Sequence, residues 1–330
     1  MNSPRITIIG IGRMGKGIAL AFSYAGFAVA LIDSEQHSQT EFDVIENQAR
    51  KEFASELQIL RNLKIISAEQ FISIGGRIKI IEHGSADLEL ADADFVFEAV
   101  SEVKEIKQDV YSWLNNCINN EAIVSSTTSS MSANELASFI NKNERFINAH
   151  WLNPALLMPL VEIIPADATS LQTLESMKSL LEKIGKVPVV CKPSPGFILS
   201  RIQAVALNEA ARIVEEGLAS AEDVDKAIKT GFGIRYANLG LLEFIDWGGG
   251  DILYHATSYL ASNLDEHRFS VPDIVKDNMA KNHNGIRDGV GFYEWENVDI
   301  ENYRRDKMTE VIQLLRLKDL MPNLEAVNET

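Results

Sequence analysis

The sequence predicts an α/β protein in which a doubly wound, mostly parallel sheet with an inserted helical hairpin precedes an all-α C-terminal domain. Short apolar runs alternate with helix-compatible stretches as far as residue 190, which is the pattern of strands joined by crossover helices. Beyond residue 196 only helical periodicity remains. The stretch Lys192-Pro193-Ser194-Pro195-Gly196 separates the two patterns, so the predicted domains are residues 1–192 and 193–330.

The chain opens with a strand and a glycine-rich turn. An apolar run is followed by Gly10, Gly12 and Gly15 at G-x-G-x-x-G spacing, and then by a helix-compatible stretch. Gly10 allows a sharp turn, Gly12 lets the backbone approach a pyrophosphate, and Gly15 lets the helix pack on the strand. The start of the helix, with Arg13 and Met14, then provides N–H groups that bind the phosphates.

A carboxylate ends the second predicted strand at the distance where NAD is recognised. Asp33 follows the apolar run Ala28–Ile32 and lies eighteen residues beyond Gly15. A strand-end acid at this distance binds the ribose hydroxyls of NAD and repels the 2′-phosphate of NADP. No lysine or arginine follows closely to hold such a phosphate, so we predict an NAD-binding Rossmann domain. A glycine turn in another doubly wound fold is the alternative interpretation.

The stretch after Asp33 is too long for a plain crossover. Apolar residues within 38–75 recur mostly every three or four positions, which predicts an amphipathic helical pair inserted as a hairpin. Six strands are predicted after this hairpin. One of them ends at His150, and the other five are Ile78–Glu82, Phe95–Val100, Ala122–Ser125, Leu160–Ile164 and Val187–Val190. The last is predicted at a sheet edge, because its proline cannot donate to a central ladder.

Polar side chains follow three of these strands. They occur in Glu98 to Glu102, in Ser125 to Ser130 and in His150 to Pro154. Ligands of a parallel sheet bind beyond the carboxyl ends of its strands, so these segments are candidates for chemistry. A lone histidine is more often structural than catalytic, but the position of His150 beside an Asn-Pro turn at this rim favours a functional role.

The C-terminal region is predicted to be helical and to form a homodimer. Phe197–Glu216 is apolar on more than one side, which indicates burial within the domain and against another subunit. The stretch Phe244–Asp251 is predicted to be a tight turn whose glycines provide backbone freedom, since no strand precedes them.

Composition restricts the partners. A formal net charge of −16 over 330 residues argues against binding to nucleic acid or to an anionic membrane, but permits a small-molecule substrate. The two cysteines, Cys117 and Cys191, form neither a disulfide framework nor a metal-ligand cluster, so no metal is predicted and a reducing cytoplasm is expected. Neither a signal peptide nor a membrane span is expected, because the first strand begins by Arg5 and no apolar run approaches ~18 residues.

Together the motifs resemble the 3-hydroxyacyl-CoA dehydrogenase family, which also contains 3-hydroxybutyryl-CoA, L-gulonate and carnitine dehydrogenases and an enzyme that oxidises a pyridine alcohol. The similarity covers residues 5–295. It is carried by the glycine loop, Glu98-Ala99 with Glu102 and Lys107, Ser129, His150-x-x-Asn153-Pro154, Glu162, Pro195-Gly196-Phe197 and Gly289-x-Gly291-Phe292-Tyr293. The resemblance implies an NAD-dependent oxidoreductase of fatty acid metabolism that acts on a secondary alcohol.

The resemblance also assigns roles to residues of this chain. His150 would accept the proton of the substrate's 3-hydroxyl, and Glu162 would fix the imidazole tautomer and stabilise its charged form. Ser129 would hydrogen-bond the substrate oxygen, and Asn153 would orient cofactor and substrate. The cofactor contacts of the family fall on Glu102, Lys107 and Arg287, in addition to the glycine loop, Asp33, Ser129 and Asn153.

Two departures from the family pattern concern the substrate. Ser200 replaces the substrate-facing asparagine of the family's Pro-Gly-Phe-x-x-Asn-Arg motif, so a hydroxyl stands in place of an amide. Arg235 lies where acyl-CoA members carry a Pro-Met-Gly-Pro-like turn, and an arginine there resembles the gulonate and carnitine branches.

Three functions stay open. The leading expectation is oxidation of a short-chain 3-hydroxyacyl-CoA such as 3-hydroxybutyryl-CoA, with Lys51 of the inserted hairpin as a CoA contact. The alternative substrate is a small free 3-hydroxy carboxylate, whose carboxylate Arg235 would pair in bidentate fashion. The third possibility is a crystallin-like protein that binds NAD without turnover.

Overall fold

The computed structural model describes residues 3–323. They form two compact units, one extending to Ala206 and the other beginning at Leu207. Of the predicted domains 1–192 and 193–330, the outermost residues 1–2 and 324–330 lie outside the described residues. The boundary between residues 192 and 193 stays a prediction.

The first unit is built on an eight-stranded sheet. Its strands are β1 Ile6–Ile9, β2 Val29–Ile32, β3 Ile78–Ile81, β4 Phe95–Glu98, β5 Ile123–Ser126, β6 Phe146–Trp151, β7 Leu160–Pro165 and β8 Val187–Val190. Their order across the sheet is β3-β2-β1-β4-β5-β6-β7-β8. All neighbouring pairs are parallel except β6 and β7. The predicted doubly wound, mostly parallel sheet is confirmed, as is the edge position of the proline-containing strand.

Helices cover both faces of this sheet, which is why its strands are apolar runs rather than alternating ones. Ile8 belongs to a hydrophobic cluster with Ile18 and Phe22. Its neighbour Ile9 points to the opposite face and belongs to a second cluster with Leu114. Burial of each such side chain contributes about 1.5–3 kcal/mol to the stability of the folded state. The two clusters therefore fix the position of the strand ends.

The helices of the first unit include the predicted hairpin. They are α1 Arg13–Tyr24, α2 Gln39–Asn62, α3 Ala68–Gly76, α4 Asp87–Ala91, α5 Lys104–Cys117, α6 Ala133–Ala137, α7 Leu171–Lys183 and α8 Leu199–Glu215, the last of which contains the division after Ala206. The hairpin of α2 and α3 is confirmed. Both of its helices begin with a capping box, at Ser38 and Ser67, which satisfies N–H groups that a helix start leaves unpaired.

The second unit is helical, as predicted. Its helices are α9 Ala221–Ala227, α10 Gly233–Tyr236, α11 Leu241–Gly248, α12 Gly250–Asn263, α13 Glu266–Phe269, α14 Asp273–Lys281 and α15 Ile300–Leu317, with a π-helical turn at Ile228–Phe232. None of the helices among residues 3–323 combines the length and apolar character needed to cross a membrane.

The tight turn predicted at Phe244–Asp251 is wrong. Two helices meet there, and only Gly249, with φ of +108°, separates α11 from α12. The reason is tertiary: the buried carboxylate of Asp246, within α11, accepts hydrogen bonds from the N–H of Phe292, the N–H of Tyr293 and the indole of Trp295. These partners lie about 50 residues along the chain, so the local sequence does not reveal them.

Candidate active site

A pocket of about 510 Å³ lies where the carboxyl ends of β1, β4, β5 and β6 meet the start of α8. The strand order reverses between β1 and β4, and open α/β sheets bind their ligands at such a switch point. The lining residues are Gly12, Arg13, Met14, Ala99, Val100, Ser101, Glu102, Thr127, Ser129, His150, Trp151, Leu152, Asn153, Ser200 and Gln203. The pocket thus brings together eight residues predicted for the site, namely Gly12, Arg13, Met14, Glu102, Ser129, His150, Asn153 and Ser200.

His150 and Glu162 face each other across the antiparallel pair of β6 and β7. The strand register pairs them directly, which puts both side chains on the same face of the sheet. The Nδ1 atom of His150 lies 2.7 Å from Oε2 of Glu162. Both side chains are buried, and His150 still reaches the pocket wall.

Glu162 is also held from a second side. Its Oε1 accepts the backbone N–H groups of Ile198 and Leu199, each at 2.9 Å, where the positive end of the α8 dipole favours a carboxylate. Because every partner of Glu162 is a donor, His150 must donate from Nδ1. The Nε2 atom of His150 then keeps a free lone pair, which is what a general base requires.

The glycine loop forms the cradle predicted for a pyrophosphate. Gly10 has φ of +105°, and a Cβ there would lie 2.8 Å from the carbonyl oxygen of Ala99. A Cβ on Gly15 would collide with the carbonyl oxygen of Gly10, so close packing of α1 on β1 requires glycine. The N-cap residue Gly12 provides no side-chain cap, and the first turn of α1 carries no acid. The N–H groups of that turn are therefore available to phosphate oxygens.

Asp33 lies at the end of β2, and one oxygen of its carboxylate accepts no hydrogen bond from a described residue. Its Oδ1 accepts the N–H of Glu35 at 3.2 Å, and its Oδ2 lies 3.6 Å from Nε2 of His37. The Oδ2 atom is buried and has no hydrogen-bond partner among the described residues. A buried carboxylate oxygen without a donor is costly, and a ribose hydroxyl of NAD would satisfy it. Together with the glycine cradle, this atom makes the site fit NAD.

Glu98 anchors a buried network behind the pocket. Its Oε1 accepts the N–H of Val100 at 3.0 Å and the ammonium of Lys107 at 2.7 Å. Its Oε2 accepts the hydroxyls of Tyr111 at 2.8 Å and Ser126 at 2.7 Å. Lys107 was predicted to contact the cofactor, but its side chain is only 1% exposed and does not line the pocket. Its ammonium also lies 3.4 Å from the carboxylate of Glu102, which does line the pocket. Lys107 therefore acts on the pocket indirectly, through its charge beside Glu102.

Glu102 joins this network to the loop that carries Ser129. Its Oε1 accepts the hydroxyls of Thr128 and Ser130 and the backbone N–H groups of Ser129 and Ser130. Burial acts to raise the pKa of Glu102, but the hydrogen bond from Thr128, the charge of Lys107 and the bonds from Ser130 outweigh it and lower the pKa. The carboxylate of Glu102 therefore holds the loop in place.

The remaining predicted residues lie elsewhere. Lys51 is exposed on α2 and has no carboxylate within 4 Å among residues 3–323. Arg287, in the second unit, pairs with Asp251 and Asp288, each at 3.1 Å. Arg235, also in the second unit, lies over the ring of Phe244 at 4.6 Å. It borders an apolar pocket of about 420 Å³ that α15 helps to line.

Gln203 is a pocket residue that the sequence analysis missed. It lies three positions beyond Ser200 on α8, so the two side chains share a helix face. Its signal was weak, because a glutamine in an amphipathic helix is normally a solvated residue. The known start of α8 at Leu199 is needed to place it on the pocket side.

Comparison with known proteins gives consistent matches over nearly the whole chain. Residues 5–194 match the family described as 3-hydroxyacyl-CoA dehydrogenase, NAD binding domain. Residues 196–295 match 3-hydroxyacyl-CoA dehydrogenase, C-terminal domain.

Individual relatives cover most of the chain at moderate identity. The chain is 31% identical to a 3-hydroxybutyryl-CoA dehydrogenase of Bradyrhizobium diazoefficiens, covering 88% of this chain and 95% of that one. It is 29% identical to 5-formyl-3-hydroxy-2-methylpyridine 4-carboxylate 5-dehydrogenase of Mesorhizobium japonicum, covering 94% and 97%. The crystal structure of a 3-hydroxyacyl-CoA dehydrogenase from Archaeoglobus fulgidus matches with a TM-score of 0.74 at 29% identity, covering 97% of this chain and 100% of that one.

Proposed function

The chain belongs to the 3-hydroxyacyl-CoA dehydrogenase family and is an NAD-dependent oxidoreductase of that type, and from this premise we propose that it oxidises a short-chain 3-hydroxyacyl-CoA. The predicted family, enzyme class and cofactor are thereby confirmed. The proposed substrate is 3-hydroxybutyryl-CoA or a close analogue, and the product is the 3-oxoacyl-CoA. The observation that carries the proposal is the buried pair of His150 and Glu162, in which His150 lines the pocket.

The proposed chemistry begins with proton removal by His150. Its Nε2 accepts the proton of the 3-hydroxyl while the carbon–oxygen double bond forms. When bound, NAD supplies the nicotinamide that takes the hydride from the same carbon. Glu162 keeps the Nδ1–H of His150 at 2.7 Å and stabilises the positive charge of the imidazolium. The products are the ketone, NADH and one proton held by His150.

Other pocket residues position the substrate in this proposal. The hydroxyl of Ser129 donates to the reacting oxygen, and Glu102 keeps its loop in place. Asn153 and Ser200 also line the pocket. Neither side chain donates a hydrogen bond to another described residue, so both are available to cofactor or substrate.

The CoA assignment has support from charge on the inserted hairpin. Glu52, the acid beside Lys51, is engaged by Lys16 and Gln48, and the hydrogen bond from Lys16 is the main reason that the pKa of Glu52 is lowered. Lys51 is thus left as a cation without a carboxylate partner among the described residues. Such a cation suits a phosphate of CoA.

A free hydroxy carboxylate is the second candidate. Arg235 has no carboxylate within 4 Å among residues 3–323, and a substrate carboxylate would supply one. The Mesorhizobium japonicum relative is named for a pyridine carboxylate, so a free acid is compatible with this fold.

A substrate panel under saturating NAD tests the proposal. We expect kcat/KM for 3-hydroxybutyryl-CoA to exceed that for free 3-hydroxybutyrate, gulonate and carnitine by at least ~100-fold, the cost of losing several charged contacts. Lys51→Ala should raise the KM for the CoA ester several-fold, Lys51→Arg should restore it, and Arg235→Ala should be nearly neutral. The free-acid function holds instead if a free acid is preferred and Arg235→Ala raises its KM by ~10- to 100-fold. NAD binding without turnover of any alcohol would favour the crystallin-like alternative.

We also propose that the protein is a homodimer that associates through α8 and the helices that follow it. No residue of α8 is buried, and the apolar residues Ile202, Val205, Leu207 and Val214 are between 40% and 71% exposed. Apolar surface of this extent normally meets a partner. Sedimentation equilibrium at micromolar concentration should give twice the 36.6 kDa of one chain, and a purely monomeric species would contradict the proposal.

A further inference from the structure

The Pro195-Gly196-Phe197 motif precedes α8 in an unusual backbone conformation. Gly196 has φ of +74° and Phe197 has φ of +47°. Among the described residues, four non-glycine residues have positive φ, and Phe197 is the one that is buried. A bulky residue in the left-handed region is strained, so the surrounding structure must hold it there.

The turn aims two N–H groups at the candidate catalytic pair. Directly after Phe197, the N–H groups of Ile198 and Leu199 both donate to Oε1 of Glu162 at 2.9 Å. Since Oε2 of Glu162 contacts His150 at 2.7 Å, the turn fixes the carboxylate whose other oxygen orients the imidazole. A change of φ at Phe197 would swing both N–H groups away from Glu162.

The side chain of Phe197 contacts the same pair from another direction. Its ring centroid lies 5.5 Å from that of His150, with an angle of 53° between the planes. Phe197 is 4% exposed and belongs to the hydrophobic cluster that contains Ile164 and Ala166. Packing in that cluster keeps the ring against the imidazole, and the ring in turn limits the rotation of His150.

We propose that the Gly196–Phe197 turn is a positioning element of the general base. It fixes Glu162 through two backbone N–H groups and supports the ring of His150 through Phe197. The inference rests on the proposed role of His150 as the base. Starting α8 does not by itself account for the turn, because a helix start normally uses a polar N-cap residue in extended conformation and needs no left-handed phenylalanine.

A proton resonance tests the positioning without any substrate. A histidine Nδ1–H that donates to a buried carboxylate gives a far-downfield signal in proton NMR, and this signal is assigned by its loss in His150→Gln. In Phe197→Ala we expect the signal to broaden or disappear, because the imidazole loses its support. Phe197→Leu keeps a large apolar side chain against the imidazole, so it should retain the signal. Equal thermal unfolding and NAD affinity in the two variants would exclude a general loss of fold.

A second pair of variants removes a donor rather than a ring. Leu199 is the first residue of α8, where proline is tolerated, so Leu199→Pro deletes one N–H to Glu162 without breaking the helix. Leu199→Ala is the matched control that keeps the N–H. We expect kcat to fall roughly 10- to 100-fold in Leu199→Pro and in Phe197→Ala, with the KM for NAD unchanged, as for other small displacements of reacting groups. Both control variants should stay within about threefold of the parent.

The two proposals fail in different ways. If the parent protein turns over no alcohol of the panel, the proposed function fails, but the downfield proton still reports on the turn. If Phe197→Ala and Leu199→Pro match their controls in both the resonance and kcat, the turn is only a helix start and the positioning proposal is wrong.

Discussion

Glu98 and Glu162 are both buried in the sheet of the first unit, yet their partners differ in kind. Glu98 accepts four hydrogen bonds, one of them from the ammonium of Lys107, and neither residue of this ion pair lines the pocket. Glu162 accepts three, from two backbone N–H groups and from His150 on the pocket wall. The charge of Glu98 is neutralised inside the protein, whereas that of Glu162 is shared with a group that can gain and lose a proton.

Burial of a carboxylate therefore does not by itself indicate a catalytic role. The role depends on the partner, because an ammonium held behind the pocket stabilises the fold while an imidazole at the pocket can move a proton.

Tyr111, which also donates to Glu98, belongs to the structural network. Burial and then the charge of Glu98 raise the pKa of Tyr111 well above its usual value, so its hydroxyl remains a donor within the network.

Glu162→Gln should have the largest effect on activity. The amide oxygen would keep the N–H groups of Ile198 and Leu199, so the NH₂ group would face Nδ1 of His150 and force the proton onto Nε2. We expect kcat to fall by about 10³-fold or more, as when a catalytic histidine is put in the wrong tautomer. Steady-state kinetics with NAD affinity from fluorescence would measure this. A kcat within tenfold of the parent value would remove the distinction from Glu98.

Glu98→Ala should act mainly on stability. It leaves the ammonium of Lys107 buried without its nearest carboxylate, which costs about 3–5 kcal/mol in the free energy of unfolding. Urea denaturation of the cofactor-free protein measures the loss. The double variant Glu98→Leu with Lys107→Met should recover only part of it, because no buried charge is left unpaired but the hydroxyls of Tyr111 and Ser126 lose their acceptor. A loss below about 1 kcal/mol in Glu98→Ala would contradict the structural role.

Asp33 extends the comparison to a buried carboxylate with one oxygen, Oδ2, that accepts no hydrogen bond from a described residue. Because its Oδ2 has no donor among the described residues, we expect Asp33→Ala to leave the stability of the cofactor-free protein nearly unchanged. The affinity for NAD should fall about tenfold, the value of one charged hydrogen bond, and the preference over NADP should relax. Titration with both cofactors checks this. Equal use of NAD and NADP by the parent protein would rule out the assigned role of Asp33.

The smallest expected effect is that of Glu102 on the pH dependence of stability. Its pKa is lowered in the folded protein, so its contribution to stability is present above the ordinary pKa of a glutamate and is lost as pH falls through the lower folded value. Glu102→Gln should therefore flatten the acid side of the stability profile, below about pH 4.3, without changing the neutral region much. Urea midpoints measured from pH 7 to pH 3 give the two curves. Parallel curves would mean that the loop bonds to Glu102 contribute nothing.

Spacing along the chain is enough to predict the features that depend on local geometry. The glycine loop and Asp33 follow from one strand–turn–helix–strand unit, and His150 follows from its place at a strand end. The contact between His150 and Glu162 could not be derived from the residues alone, because it depends on the register of β6 against β7 across an irregular connection. Resemblance to a family supplied that pairing, and the structure supplies its cause.

Other parts of the site depend on contacts that local patterns do not reveal. The four partners of Glu98 come from α5, β5 and the segment after β4, so only the assembled sheet brings them together. The incorrect prediction of a turn at Phe244–Asp251 has the same origin, since the carboxylate of Asp246 accepts its hydrogen bonds from residues near Trp295. Gln203 lines the pocket because α8 starts at Leu199, and the amphipathic pattern of the sequence does not place that start.

The other predictions depend on the proposed role of His150 as the general base of an NAD-dependent alcohol oxidation. Its most direct test is the steady-state turnover of His150→Gln with the best substrate of the panel, together with its NAD affinity. We expect NAD affinity within about twofold of the parent and a loss of turnover of at least ~100-fold, since a positioned base contributes roughly 10²- to 10⁴-fold. Turnover above about a hundredth of the parent rate, with NAD still bound, would show that another group takes the proton.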